Sequence, residues 1–169
     1  MNLEQKMRQM AYNAETIRNL TLGVSDEQAR WRPSPDDWSI LEVINHLNDE
    51  EREDFRVRLD YILHRPDQLA PPIDPGGWVT SRGYNERDLE SSLNLFMEAR
   101  QESFDWLKGL DSLDWGTAGK APWGTITAVD MFAAWVSHDI LHMRQLVELH
   151  WAFTTRHLEP FDPRYAGSW

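Results

Sequence analysis

Near the end of the chain stand two histidines, His138 and His142, in the stretch Ser137-His138-Asp139-Ile140-Leu141-His142-Met143-Arg144-Gln145. In a helix, a spacing of four puts both imidazoles on one face, one turn apart. Two imidazoles so placed can share one divalent metal, but a secure site needs a third ligand. His46, in Asn45-His46-Leu47, is the best candidate. Neutral imidazole suits Zn, Ni, Cu and Fe, and Zn or Ni is expected here. Three histidines leave positions for water or substrate, the open arrangement of catalytic zinc. A metal so held acidifies a bound water or a bound thiol. Asp49 and Glu50 follow His46 closely and are the candidate catalytic carboxylates, able to move protons or to fix an imidazole tautomer.

Other readings of the same residues are weaker. Two histidines at this spacing also arise by chance, which leaves a packing role open. His138-Asp139-Ile140-Leu141-His142 approaches the zincin His-Glu-x-x-His, but Asp is one methylene short of the general base. A di-iron bundle needs Glu-x-x-His on two helices and Glu on two more. The chain offers Asp139-x-x-His142 once, so one metal per chain is expected. His64, His150 and His157 lack a partner histidine at suitable helical spacing and read as surface or packing residues.

Helices must bring these residues together. Apolar residues recurring at three and four predict helices over about residues 2–21, 39–64, 86–110 and 127–150. Ser39-Ile40-Leu41-Glu42 has the form of a capping box and fixes the start of the second helix. Asn85 is expected to cap the third, and Thr127 with Asp130 forms a weaker box for the fourth. The acidic run Asp49-Glu50-Glu51-Arg52-Glu53-Asp54 reads most simply as a solvated face. Residues 22–38, 65–85 and 111–126 are rich in Pro or Gly and read as long links, and 151–169 as a short Pro-interrupted tail. The prediction is one all-α domain over 1–169, a four-helix bundle with long connections and no sheet. His46 lies about 10 Å past its cap and His142 about 12 Å before the expected end of its helix. Antiparallel second and fourth helices would therefore hold them at similar depth.

Composition narrows the function. The 169 residues carry a formal net charge of −11, which argues against nucleic-acid binding through clustered Lys and Arg. There is no cysteine, which excludes disulfides, thiolate metal sites and cysteine nucleophiles, and fits a reducing cytoplasm. No apolar run approaches the roughly 20 residues of a membrane span. Nine tryptophans are many for this length, and some must line a core or a pocket.

Trp31-Arg32-Pro33, then Trp38-Ser39-Ile40 with Asn45-His46-Leu47, then His138-x-x-x-His142-x-x-Gln145 together resemble the DinB-like superfamily of four-helix bundles, also described as metal-dependent hydrolases. The likeness runs from the first helix through Leu149. It implies a bundle with two long crossovers and one metal held by three histidines, which match His46, His138 and His142. Related families include thiol-dependent S-transferases and a mycothiol-dependent isomerase. The resemblance thus implies a metal-dependent thiol S-transferase or hydrolase acting on a small molecule, with a low-molecular-weight thiol as a candidate co-substrate. The alternative is a non-catalytic, metal-stabilised or stress-related binding bundle. Together with the aromatic content, the resemblance also implies a homodimer.

Overall fold

The computed structural model describes residues 2–110 and 113–167. The parts of the expected third link and tail that fall on 111–112 and 168–169 lie outside the described residues. Four long helical segments form the bundle. They are α1 (Leu3–Thr21), a continuous segment made of α3 (Ile40–Asp49), a π-helical stretch (Glu50–Phe55) and α4 (Arg56–His64), then α6 (Leu89–Lys108) and α7 (Ala128–His157). Shorter helices α2 (Asp26–Arg30) and α5 (Pro75–Ser81) lie in the links. Strands β1 (Ala118–Ala121) and β2 (Gly124–Thr127) form an antiparallel hairpin that pairs Ala118 with Thr127 and Ala121 with Gly124.

The order of packing explains the long links. α3 packs on α6 and α7, and α1 packs on α7 and α6. Consecutive helices α1 and α3 thus sit on one diagonal of the bundle, and α6 and α7 on the other. Both diagonal steps need a chain segment that crosses a bundle end. α3 and α7 run antiparallel: His46 meets His142, Phe55 meets Trp135, and Ile62 borders the same cleft as Met131.

Helix starts follow local chemistry. Ser39 accepts from the amide of Glu42 (3.2 Å) while Glu42 accepts from the amide of Ser39 (2.8 Å), the expected reciprocal cap. α6 is capped by Asp88, which accepts from the amide of Ser91 at 2.8 Å, and not by Asn85. Asn85 is drawn away because it joins two links: its Oδ1 accepts from the Ser39 hydroxyl (2.7 Å) and its Nδ2 donates to the Arg30 carbonyl (3.1 Å). α7 continues to His157, beyond the expected end near 150, because no breaker precedes Pro160.

The hairpin corrects the expectation of no sheet. Ala-Gly-Lys-Ala and Gly-Thr-Ile-Thr carry too few apolar residues to show a strand alternation. Tertiary contact holds it in place: Lys120 donates its amide to the Pro66 carbonyl at 3.0 Å, and Gly119 lies so close to α4 that a Cβ there would stand 2.9 Å from Ile62 Cγ1.

Two apolar clusters fill the bundle. One holds Met10, Phe55, Leu59, Leu107, Phe132 and Trp135; the other holds Ile17, Ile44, Leu47, Phe96, Leu146 and Leu149. Between them, at one height in all four helices, lies a buried polar layer of Asn13, Glu51, Arg100 and Asp139. The histidines belong to the same level on the α3 and α7 side.

Candidate metal centre

His46 comes from α3, and His138 and His142 come from α7. One ligand-type nitrogen from each lies within 4.8 Å of the other two, and this is the one such group among the described residues. His138 Nε2 and His142 Nε2 are 3.1 Å apart. Two nitrogens bound to one zinc at tetrahedral positions would lie roughly 3.3 Å apart. The pair therefore fits a shared divalent ion without moving the helix. His46 Nδ1 is buried and has no hydrogen-bond partner, so its ring is not fully satisfied by protein groups. His142 Nδ1 lies 2.8 Å from Gln145 Oε1. A proton on Nδ1 donated to that oxygen leaves the Nε2 lone pair facing His138, the tautomer a metal ligand needs.

Aromatic rings hold the imidazoles from outside. Trp38 lies 4.9 Å from the His46 ring and Phe55 lies 4.9 Å from the His138 ring. Burial sets the protonation. It lowers His46 to about 3, with His142 adding to the effect, and it lowers His138 to about 2, with His142, His46 and Arg100 adding. His142 is also lowered by burial, partly offset by Gln145 and Asp139. All three imidazoles are neutral at pH 7, the state in which they can ligate.

The carboxylates behave differently from the sequence expectation. Asp49, Glu50 and Glu51 are buried, at 2%, 4% and 2% exposure, so this part of the acidic run is no solvated face. Glu50 and Glu51 open the π-helical stretch, whose wider turn changes the direction their side chains face, whereas Asp49 is the last residue of α3. Their partners differ: of the three, Glu51 alone meets a buried cation, Arg100. Asp49 accepts from the Tyr84 hydroxyl (2.6 Å) and from Arg82 (2.5 Å), so it ties the 65–85 link to α3 and stands outside the three-histidine group. Glu50 also stands outside that group; its Oε1 is buried without a partner. Burial, reinforced by Asp54, raises its carboxyl to about 8. Asp139, at the zincin-like position, points to the polar layer and not to the histidines.

That layer is a functional element the sequence reading missed. Arg100, 2% exposed, donates Nε to Glu51 (2.8 Å), Nη2 and Nη1 to Asp139 (2.7 and 2.9 Å), and Nη1 to the Met10 carbonyl (3.2 Å). Trp135 Nε1 donates to Glu51 at 2.9 Å, and Asn13 donates to Asp139 at 3.2 Å. Every bundle helix contributes, so one guanidinium sets the mutual rotation of the helices that carry His46 and His138. The signal was present: Arg100 sits in the apolar stripe of α6 between Phe96 and Phe104, where a charge needs a buried partner.

The remaining histidines have other tasks. His150 lies 3.0 Å from Gln28 Nε2 and 2.5 Å from the Leu20 carbonyl, and His64 lies 3.7 Å from Asp60. A cavity of about 680 Å³ between α1 and α6 is lined by Leu3, Met7, Phe104 and Leu107 and does not reach the three histidines. A cavity of about 400 Å³ does adjoin them, through Trp38 and Gln145.

Fold and site together define a helical bundle with diagonal crossovers and a three-histidine cluster between its second and fourth long helices. The DinB superfamily profile matches residues 9–146, and the chain belongs to that superfamily. Among solved structures it is similar to YfiT from Bacillus subtilis, described as a probable metal-dependent hydrolase with an unusual four-helix bundle topology. The TM-score is 0.77 at 18% identity, over 87% of this chain and 85% of that one. No curated protein matches the sequence. Among the described residues, no helix is long and apolar enough to cross a membrane.

Proposed function

We propose that this protein is a metal-dependent hydrolase of a small molecule, with His46, His138 and His142 holding one Zn or Ni ion. The observation that carries the reading is the convergence of three neutral imidazoles, with two Nε2 atoms at ligand-pair separation. A divalent ion held there supplies a Lewis acid that brings the pKa of a coordinated water or thiol toward neutrality. The chain's own residues do the rest. Gln145 holds His142 through Nδ1 and so aims its Nε2. Trp38 and Phe55 keep bulk water from the outer faces of His46 and His138. Glu50, buried and four residues beyond His46 in the same helical segment, is the candidate proton carrier of this proposal. Asp49, bound to Tyr84 and Arg82, positions the 65–85 link and has no proton-transfer role here. The description of YfiT supports the same reaction class.

The test is a panel of small esters and amides offered to Zn-loaded and Ni-loaded protein, each with and without a low-molecular-weight thiol. Hydrolysis that needs no thiol, and that is lost in His142→Ala and after chelation, is expected. Turnover only when a thiol is present, with the thiol in the product, would replace hydrolysis by S-transfer at the same site. Hydrolysis unchanged in His142→Ala would refute the assignment.

A further inference from the structure

The cavity that adjoins the histidines has a chemistry of its own. Its walls include the indoles of Trp38 and Trp151, the Leu149 side chain, the Gln145 amide, and the carboxylates of Asp37 and Glu148. Two of these residues touch the three-histidine cluster directly: Trp38 packs on His46 and Gln145 bonds His142. Among the described residues, no lysine, arginine or histidine lines it. Glu148 lies 3.4 Å from Arg144 on the exposed face of α7, a pair of small value in water. Asp37 forms no side-chain hydrogen bond or ion pair with the described residues.

A cavity with two indoles, two carboxylates and no cation discriminates by charge. An anion entering it would meet like charge and the negative faces of the rings. An ammonium group would meet attraction from both, because indole is the strongest of the aromatic partners for a cation. The net charge of −11 adds long-range steering of the same sign. A carboxylate-rich thiol, by contrast, would find no basic side chain here to receive it.

We infer that this cavity, lined in part by Trp38 and Trp151, binds the ammonium end of a small aliphatic amine substrate, with Asp37 and Glu148 as counter-charges. That the substrate's other end reaches the reaction centre rests on the metal-site reading above. The ammonium is then held one side chain away from the histidines, and the reacting group extends past Trp38 and Gln145. The cavity volume of about 400 Å³ suits a molecule of that kind.

Calorimetric titration tests this with three probes on the full chain, both metal-free and Ni-loaded. They are choline, its uncharged isostere in which carbon replaces the ammonium nitrogen, and butyrate. Choline is expected to bind about tenfold more tightly than the isostere, and butyrate not to bind. The double variant Asp37→Asn, Glu148→Gln changes only exposed side chains. It should weaken choline by about fivefold and leave the isostere unchanged. Equal affinity for choline and isostere, tighter binding of butyrate, no saturation by choline, or an unaffected double variant would each overturn the inference. Metal content, measured on the same samples, separates this result from the metal reading: choline should bind the metal-free protein too.

Discussion

Removal of the Arg100 guanidinium is the most informative perturbation of the fold. Arg100→Met keeps the length and apolar stem of the side chain but leaves Glu51 and Asp139 without their shared cation. Both carboxylates are 2% exposed or less, so water cannot replace it. Breaking a buried ion pair from one side costs about 3–5 kcal/mol. For a chain of 169 residues the unfolding entropy at the midpoint is about 0.35 kcal/mol per kelvin, so Tm should fall by roughly 8–14 °C. The loss should shrink at low pH. Burial raises the Glu51 carboxyl and Arg100 opposes that rise, so without Arg100 its contribution is present below the unfolded value and is lost as pH rises. The loss at pH 8 should thus exceed that at pH 5. Adding Glu51→Gln and Asp139→Asn to Arg100→Met removes the unpaired charges and should recover most of the stability. Metal retention should stay impaired even then, because the bonds that set the rotation of α3 and α7 are gone. Thermal unfolding and metal analysis of the single and triple variants measure both. A single variant within about 1 kcal/mol of wild type would refute the buried network as the element that organises the site.

Further outcomes follow from the same geometry. Gln145→Leu should lower metal affinity by about 10- to 100-fold with little change in Tm of the metal-free protein, because it removes only the bond that fixes His142; competition against a chelator reads this. The stability of the metal-free protein should fall as pH drops from about 6.5 toward 3, since His46 and His138 stay neutral in the fold but protonate when unfolded. Glu50 acts with opposite sign: its folded carboxyl titrates at about 8 and its unfolded one at 4.5, so its contribution is lost as pH rises between them. Glu50→Gln should therefore flatten any decline between pH 6.5 and 8, and denaturant titrations across that range would show a decline unchanged in the variant if the assignment is wrong.

The features legible in the sequence were those written locally. The Ser39 cap, the four apolar stripes and the spacing of His138 and His142 all depend on residues within one or two turns. His46 does meet His142, but the estimate of equal depth rests on a helix end near residue 150, and α7 runs on to His157, so that length argument does not account for the meeting. The features that escaped depend on partners far along the chain. Glu51 looked solvated because its cation, Arg100, is on another helix; a polar residue in the core stripe of each helix (Asn13, Glu51, Arg100, Asp139) was the trace it left. The π-helical turn after Asp49 has no composition signal of its own, since acidic residues tolerate either helix on a surface. The hairpin at 118–127 is held by Ile62 and Pro66, neither of which its short strands announce.

The metal content of the purified protein and of three histidine variants tests the central claim most directly. Wild type, His46→Ala, His142→Ala and His150→Ala would be purified identically, incubated with Zn or Ni, desalted and assayed for metal per chain. Wild type and His150→Ala should hold one ion per chain, and their Tm should rise with metal by mass action. His46→Ala and His142→Ala should lose most of the metal and the accompanying rise in Tm, because two imidazoles compete poorly with water and buffer. Equal metal in all four proteins, or loss confined to His150→Ala, would contradict the assignment of His46, His138 and His142 as the metal ligands.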